Sequence, residues 1–285
     1  MINNSSQKLN INWKKIIYRM LLYGILGIGA IVLIFPIIWT GSLSLKTYSN
    51  VYRIPPRLIP NPVVWSNYPE AWNFFPYTRF LLNSLLVCSL CALGDTLSSS
   101  VVAFGFARLR SRGKNILFAL VLLTMMIPYQ LIIIPQFLVF KTIGWLNTFK
   151  PLWVITFFGW PYFVFLFRQF FMSIPFEFDD AARIDGCSLW RIYWNIILPL
   201  SKPALATVAL FSFVANWRNF LAPLIYLSSY KKYTIALGLS LLNTRRIAET
   251  PYIMAVAMIM ILPPIIIFTF VARYFLREIS LAVYK

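Results

Sequence analysis

Long runs of apolar residues, separated by short polar segments, dominate this chain. A helix needs roughly 20 mostly apolar residues to cross a hydrocarbon core about 30 Å thick. Six runs reach that length, near residues 20–40, 80–106, 116–140, 152–172, 203–227 and 252–276. The pattern predicts an all-α, polytopic membrane protein with six transmembrane helices. The first run follows Lys14, Lys15 and Arg19, as the apolar region of a secretory leader would. It is too long for such a region and lacks a small-residue cleavage site, so it reads as a span.

Prolines break the regularity. Pro128 and Pro135 in the third run, and Pro223 in the fifth, predict bends, because each removes a backbone donor. Between the first two runs, residues 47–77 hold six prolines, which forbids a regular helix over most of their length. A short helix near 66–72 is compatible with this connection, which either covers its own bundle or touches an external partner.

Within the second run, Ser84, Cys88, Cys91, Asp95 and Ser98 or Ser99 recur at helical spacing and form one small, polar face for the bundle interior. A carboxylate at mid-membrane costs on the order of 2.5 to 3.5 kcal/mol. Asp95 is therefore expected to be hydrogen-bonded by Thr96 and the Ser cluster, or to face a wet pathway. The fifth run carries a similar line of Ala209, Ser212, Asn216, Asn219 and Pro223, with Arg218 beside it. Amides match sugar hydroxyls as donors and acceptors, and Trp217 offers a stacking face. The same residues also serve as glue between helices. Asp95, Ser99, Ser212, Asn216 and Asn219 are the candidate pathway residues. Trp145, Trp153, Trp160 and Tyr162 suit interfacial belts or sugar stacking.

One island interrupts the apolar pattern, from Ile174 to Pro199. Ser173 and Pro175 are helix-start signals, and Glu177, Asp179 and Asp180 place negative charge in a first turn, where the helix dipole favours it. Gly186 is expected to stop this helix, Ser188 to cap a second one running to about Ile197, and Pro199 to end that. The result is a rigid protrusion. Ala181 and Ala182 give it a small face, and Ile184, Leu189 and Trp190 supply apolar anchors for a groove on another protein. Four acidic residues, Glu177, Asp179, Asp180 and Asp185, argue against a helix lying on a negatively charged leaflet.

Composition narrows the functional classes. With 60% hydrophobic and 12% charged residues, the chain is not a soluble globular domain. The charge of +18 is scattered over the loops, so anionic lipid headgroups are a better match for it than nucleic acid. With both termini inside, 15 of the 26 Lys and Arg residues fall on the inner side, and Arg108, Arg110, Arg112 and Lys114 crowd into one short loop. That places the 173–203 loop in the cytoplasm. Histidine is absent, and Cys88-x-x-Cys91 lies in an apolar span without a second pair, so no catalytic and no metal site is expected. The sequence also contains no G-x-x-x-x-G-K-[ST] phosphate loop, so any ATP and Mg²⁺ are used by another polypeptide.

Asp180-Ala181-Ala182, Gly186 and Ile196-Ile197-Leu198-Pro199 together resemble the EAA motif of ABC-importer permeases. Asn83-Ser84, Met126-Ile127-Pro128, the 200–207 run and Asn216-Trp217 to Pro223-Leu224 extend the likeness to the second, shorter permease of maltose-type carbohydrate importers. The first motif position is Asp180 rather than Glu, which keeps the charge and shortens the reach. The resemblance implies the type I importer permease fold, with the 173–203 loop seated in a cleft of an ATPase through Glu177, Asp180, Ala181, Ala182, Asp185, Gly186, Leu189 and Trp190. It also implies a homologous second permease, two ATPase subunits or domains, an extracytoplasmic solute-binding protein and a carbohydrate substrate, with the tighter sugar site on the partner permease.

Residues 1–79 then form an N-terminal tail, first span and outer loop, residues 80–276 the transmembrane domain, and residues 277–285 a cytoplasmic tail. The reading is a multi-pass permease subunit in a bacterial cell membrane. Its rivals are a permease of the same family for a glycerol phosphate ester or an acidic saccharide, which Lys231, Lys232, Arg245 and Arg246 encourage, and an ion-coupled carrier using Asp95.

Overall fold

The computed structural model describes residues 13–244 and 250–283. Arg245 and Arg246 lie outside the described residues. In chain order the helices are α1 (Trp13–Ser44), α2 (Tyr48–Val51), α3 (Asn67–Phe74), α4 (Tyr77–Arg108), α5 (Lys114–Leu123), α6 (Tyr129–Thr142) and α7 (Lys150–Trp153). They continue with α8 (Pro161–Ser173), α9 (Glu177–Ile184), α10 (Leu189–Leu200), α11 (Lys202–Trp217), α12 (Leu221–Tyr226), α13 (Ile235–Thr244) and α14 (Thr250–Val283).

Four of the six apolar runs form helical stretches long enough to cross a membrane: Ile17–Ser44, Tyr77–Arg108, Lys150–Ser173 and Thr250–Ala272. The third run is a broken span, bent by 94° between Met126 and Tyr129. Pro128 sets this break. The residue before a proline is pushed out of the helical region, and Ile127 has φ −81° and ψ 114°. Pro135, expected to bend the same run, lies inside α6.

The fifth run also differs from its expected continuous form. α11 has 16 residues, which at 1.5 Å per residue span only about 24 Å. Asn219 Oδ1 then accepts a hydrogen bond from the Ala222 amide at 3.2 Å and starts α12. Pro223 falls in the first turn of that helix, where its missing donor costs little, so it does not kink a longer one.

α4 is the central helix and contributes to all three apolar clusters of the core. Gly94 lets it lie against the 3₁₀ segment Val154–Phe158, since a Cβ there would stand 2.6 Å from the Phe157 ring. α1 has its main partner in α14 and leaves residues 17–35 exposed, as a lipid-facing helix would. The Pro-rich connection covers its own bundle. Asn67 Nδ2 donates to the carbonyls of Ser44 and Lys46 at 2.8 and 2.9 Å, and Tyr252 donates to Glu70 at 2.6 Å. These hydroxyl contacts hold the Glu70 carboxyl below its ordinary range. α14 runs past residue 277 without a break to Val283, so no helix end marks the expected tail.

Candidate functional site

α4, α6, α7, α8, α11, α12, α14 and the 3₁₀ segment border a cavity of about 640 Å³ that is open on one side. Asp95, Ser212, Asn216, Arg218 and Asn219 all border it. The helical spacing read in two separate runs thus converges on one space. Ser212 Oγ donates to Asp95 Oδ2 at 2.6 Å, while Asp95 Oδ1 is buried without a partner. Thr96, expected to bond Asp95, does not, and its hydroxyl is itself unpartnered. Asn216 Nδ2 donates to the Ser212 carbonyl at 2.9 Å, so its Oδ1 is left for other donors. Arg218 is exposed on the cavity wall and forms no ion pair among the described residues.

Two expected pathway groups lie elsewhere. Ser99 is fully buried and accepts the Trp160 amide at 3.1 Å, so it positions the cavity wall without lining the space. Trp217 is buried at 4% exposure, stacks on Phe213, and donates its indole N–H to the Met260 carbonyl at 3.1 Å. That carbonyl is free because Pro264, four residues on, has no N–H. Trp217 is therefore a packing residue that closes a gap in α14. Trp160 and Tyr162 border the cavity, and Trp145 and Trp153 do not. Tyr129, Thr156 and Phe268 complete the wall and were not anticipated. The Gly159-Trp160-Pro161 interruption of the fourth run was the available signal for this region, and Gly159 takes φ +84°.

At the other end of α4, the 173–203 loop folds as two helices meeting at Gly186, whose φ of +74° is the left-handed value that ends α9. Ser188 caps α10 by accepting the Arg191 amide at 3.4 Å. α10 does not stop at Pro199. It passes through a π-helical turn at Tyr193–Ile197 and runs on to Leu200, then turns 79° into α11.

Glu177, Asp180, Ala181 and Ile184 form the exposed face of α9, and Asp185, Gly186, Leu189 and Trp190 are exposed beside it. Ile184 is 87% and Trp190 61% exposed, an unusual surface for such large apolar groups. Ala182 faces the other way. It is 6% exposed in the core cluster, so its small size seats α9 on the bundle and not on a partner. Asp179 is buried too and does not share the exposed acidic face. Its Oδ2 lies 3.7 Å from Arg108 Nε, with both side chains almost fully enclosed. Burial pushes the Asp179 carboxyl above its ordinary range, and the Arg108 charge pulls it part of the way back. Arg108, counted in the sequence among loop cations, is thus an interior residue.

Residues 96–281 match the family described as the binding-protein-dependent transport system inner membrane component. The sn-glycerol-3-phosphate transport system permease protein of Yersinia pestis bv. Antiqua (strain Antiqua) is 30% identical over 258 residues, covering 88% of this chain and 92% of the relative. The arabinooligosaccharides transport system permease protein of Bacillus subtilis (strain 168) is 31% identical over 267 residues, covering 93% and 95%. Among solved structures, a chain of a bacterial ABC transporter involved in import of the acidic polysaccharide alginate shares the fold with a TM-score of 0.77. It is 24% identical and covers 92% of this chain and 98% of its own. A family match over so much of a bundle built around this cavity makes the chain a member of the binding-protein-dependent transport system inner membrane components, the permease subunits of ABC importers.

Proposed function

We propose that this chain passes an oligosaccharide through the cavity beside Asp95, with ATP and Mg²⁺ consumed by a separate ATPase that grips the 173–203 loop. One observation carries the reading. A single helix, α4, borders the cavity at Asp95 and anchors the exposed loop at Arg108. In this reading Ile184, Leu189 and Trp190 fill a groove of the ATPase, and Glu177, Asp180 and Asp185 meet basic groups at its rim. Asn216, Asn219 and Asp95 supply acceptors and donors to sugar hydroxyls, with Trp160 as the nearest stacking face. The loop and both termini lie in the cytoplasm of a bacterial cell. A second permease closes the open side of the cavity, and a solute-binding protein delivers the sugar on the opposite face.

Relatives of this chain are named for arabinooligosaccharides and for sn-glycerol 3-phosphate, so substrate class is the first thing to test. Its cognate binding protein is screened against arabino-oligosaccharides, malto-oligosaccharides, uronate oligosaccharides and sn-glycerol 3-phosphate. The reconstituted complex is then assayed for uptake of the bound compound with ATP inside or outside the vesicles. Binding of an oligosaccharide and uptake only with ATP on the loop side is the expected result. Selective binding of sn-glycerol 3-phosphate would overturn the saccharide assignment, and uptake driven by a pH gradient without ATP would overturn the whole reading.

A further inference from the structure

Exposed residues of the 173–203 loop account for gripping, but they do not explain how a push on the loop reaches the cavity. α9 and α10 touch α4 through two polar links inside the apolar cluster. At the first, Arg108 is held from three sides. Its guanidinium lies 3.7 Å from Asp179 Oδ2, its Nη2 donates to the Ile174 carbonyl at 2.8 Å, and its plane sits 4.5 Å from the Phe176 ring. At the second, the hydroxyl of Tyr193 in the π-helical turn lies 2.7 Å from Ser100 Oγ. Tyr193 is fully buried, and its ring packs on Phe104 of α4 and against Trp190 and Trp194 of α10.

Apolar contacts alone would let the loop helices slide over α4, because such contacts have no preferred direction. A buried charge pair and a hydrogen bond to the Ile174 carbonyl at one point, and the Tyr193–Ser100 hydrogen bond at another about two turns away on α4, oppose that sliding. From these contacts we infer that Arg108–Asp179 and Ser100–Tyr193 form a rigid joint, which makes α4 move as one body with the loop and so transmits ATPase closure to the Asp95 wall. The inference rests on the proposed function and assigns positioning roles to four residues outside both the exposed gripping face and the cavity lining.

The test uses the complete transporter with its ATPases and binding protein. A cysteine replaces Ala215, an exposed residue of the cavity wall, in a Cys187→Ser background; Cys88 and Cys91 are buried. Labelling by a membrane-impermeant maleimide is compared between nucleotide-free and ADP–vanadate-trapped complexes. The wild-type joint is expected to change the labelling rate by at least about fivefold between the two states, the lower end of typical coupling. Asp179→Asn should bring the two rates to within about twofold while the ATPases still co-purify and hydrolyse ATP, and Tyr193→Phe, which removes one hydroxyl and keeps the ring, should reduce the change by a smaller factor.

A purely structural pair would lower the yield of assembled complex and leave the labelling change intact. An unchanged response in assembled Asp179→Asn complexes would therefore overturn the joint. If that variant fails to assemble, Tyr193→Phe decides the matter in the same way. Absence of any nucleotide response with the wild-type joint would count against the proposed function instead.

Discussion

Near residue 108, α4 ends in a buried ion pair, whereas about three and a half turns earlier the same helix borders an open cavity. The Arg108 guanidinium is enclosed by the Asp179 carboxylate, the Ile174 carbonyl and the Phe176 ring. Asp95 has one carboxylate oxygen bonded to Ser212 and the other unpartnered beside about 640 Å³ of space. Both sites enclose a charge, yet they use it differently. At Arg108 the charge has a counter-charge on a neighbouring segment, while at Asp95 one carboxylate oxygen has no partner. Rigidity at one end and vacancy at the other suit a part that must move without deforming.

The sharpest way to break this contrast is to unpair the junction. Asp179→Leu leaves Arg108 enclosed without a counter-charge and should destabilise the protein by about 3 to 5 kcal/mol. Arg108→Met combined with Asp179→Leu should recover most of that loss, because a matched apolar pair needs no desolvated charge. Thermal unfolding of the purified protein in detergent measures both. Equal stability of the single and wild-type proteins would mean that the junction is wetter than its burial indicates.

At the cavity, Ser212→Ala removes the donor to Asp95 and should cost about 1 to 3 kcal/mol, the range for a buried polar group left unsatisfied. Asp95→Asn should be tolerated, with substantial ATP-dependent uptake, because an amide keeps an acceptor for the Ser212 hydroxyl and carries no charge. Complete loss of uptake in an assembled Asp95→Asn complex with intact ATPase activity would make the carboxylate itself part of translocation.

Gly186 tests the exposed part of the loop. A Cβ there meets nothing within 4 Å, so Gly186→Val is penalised only by its left-handed backbone, at about 1 to 2 kcal/mol. The fold should survive while ATPase co-purification falls, and Gly186→Asn, which tolerates that backbone, should bind nearly normally. Wild-type ATPase recovery with Val would remove the need for the turn.

The smallest effect is expected at the far end. Contacts from Tyr252 and Ser66 lower the Glu70 carboxyl, so their contribution is present above the unfolded carboxylate range and fades as pH falls through the folded value. Tyr252→Phe should lower the melting temperature slightly at neutral pH, and the difference should fade as pH falls below the free carboxylate range and through the folded value. A difference that persists there would assign the effect to packing of the ring.

Apolar run length and helical spacing were enough to locate the spans and to bring Asp95, Ser212, Asn216 and Asn219 to one space, because both depend on local periodicity. Glycine and capping residues likewise marked α9 and the start of α10. That Asp179 and Ala182 face the bundle is not legible in the sequence, for a different reason. Periodicity shows that residues 179 and 182 share a side, but not whether that side meets the bundle or a partner. Arg108 looked like a loop cation because its only counter-charge lies some seventy residues away in sequence. The breaks at Pro128 and Asn219 were half legible. Proline announced the first, whereas the second depends on a side-chain cap to Ala222 that competes with helix continuation.

Two consecutive prolines in α14, Pro263 and Pro264, deprive the carbonyls of Ile259 and Met260 of their helical donors, and the Trp217 indole replaces the one to Met260. α14 is therefore weakest in its own backbone bonding at this point, and α11 supports it from one side. On one side of this point Ala255 and Val256 are embedded in the core, and on the other Phe268 borders the cavity. A bond from α11, the helix that bears Ser212 and Asn216, thus braces α14 between its core-embedded part and the part that borders the cavity.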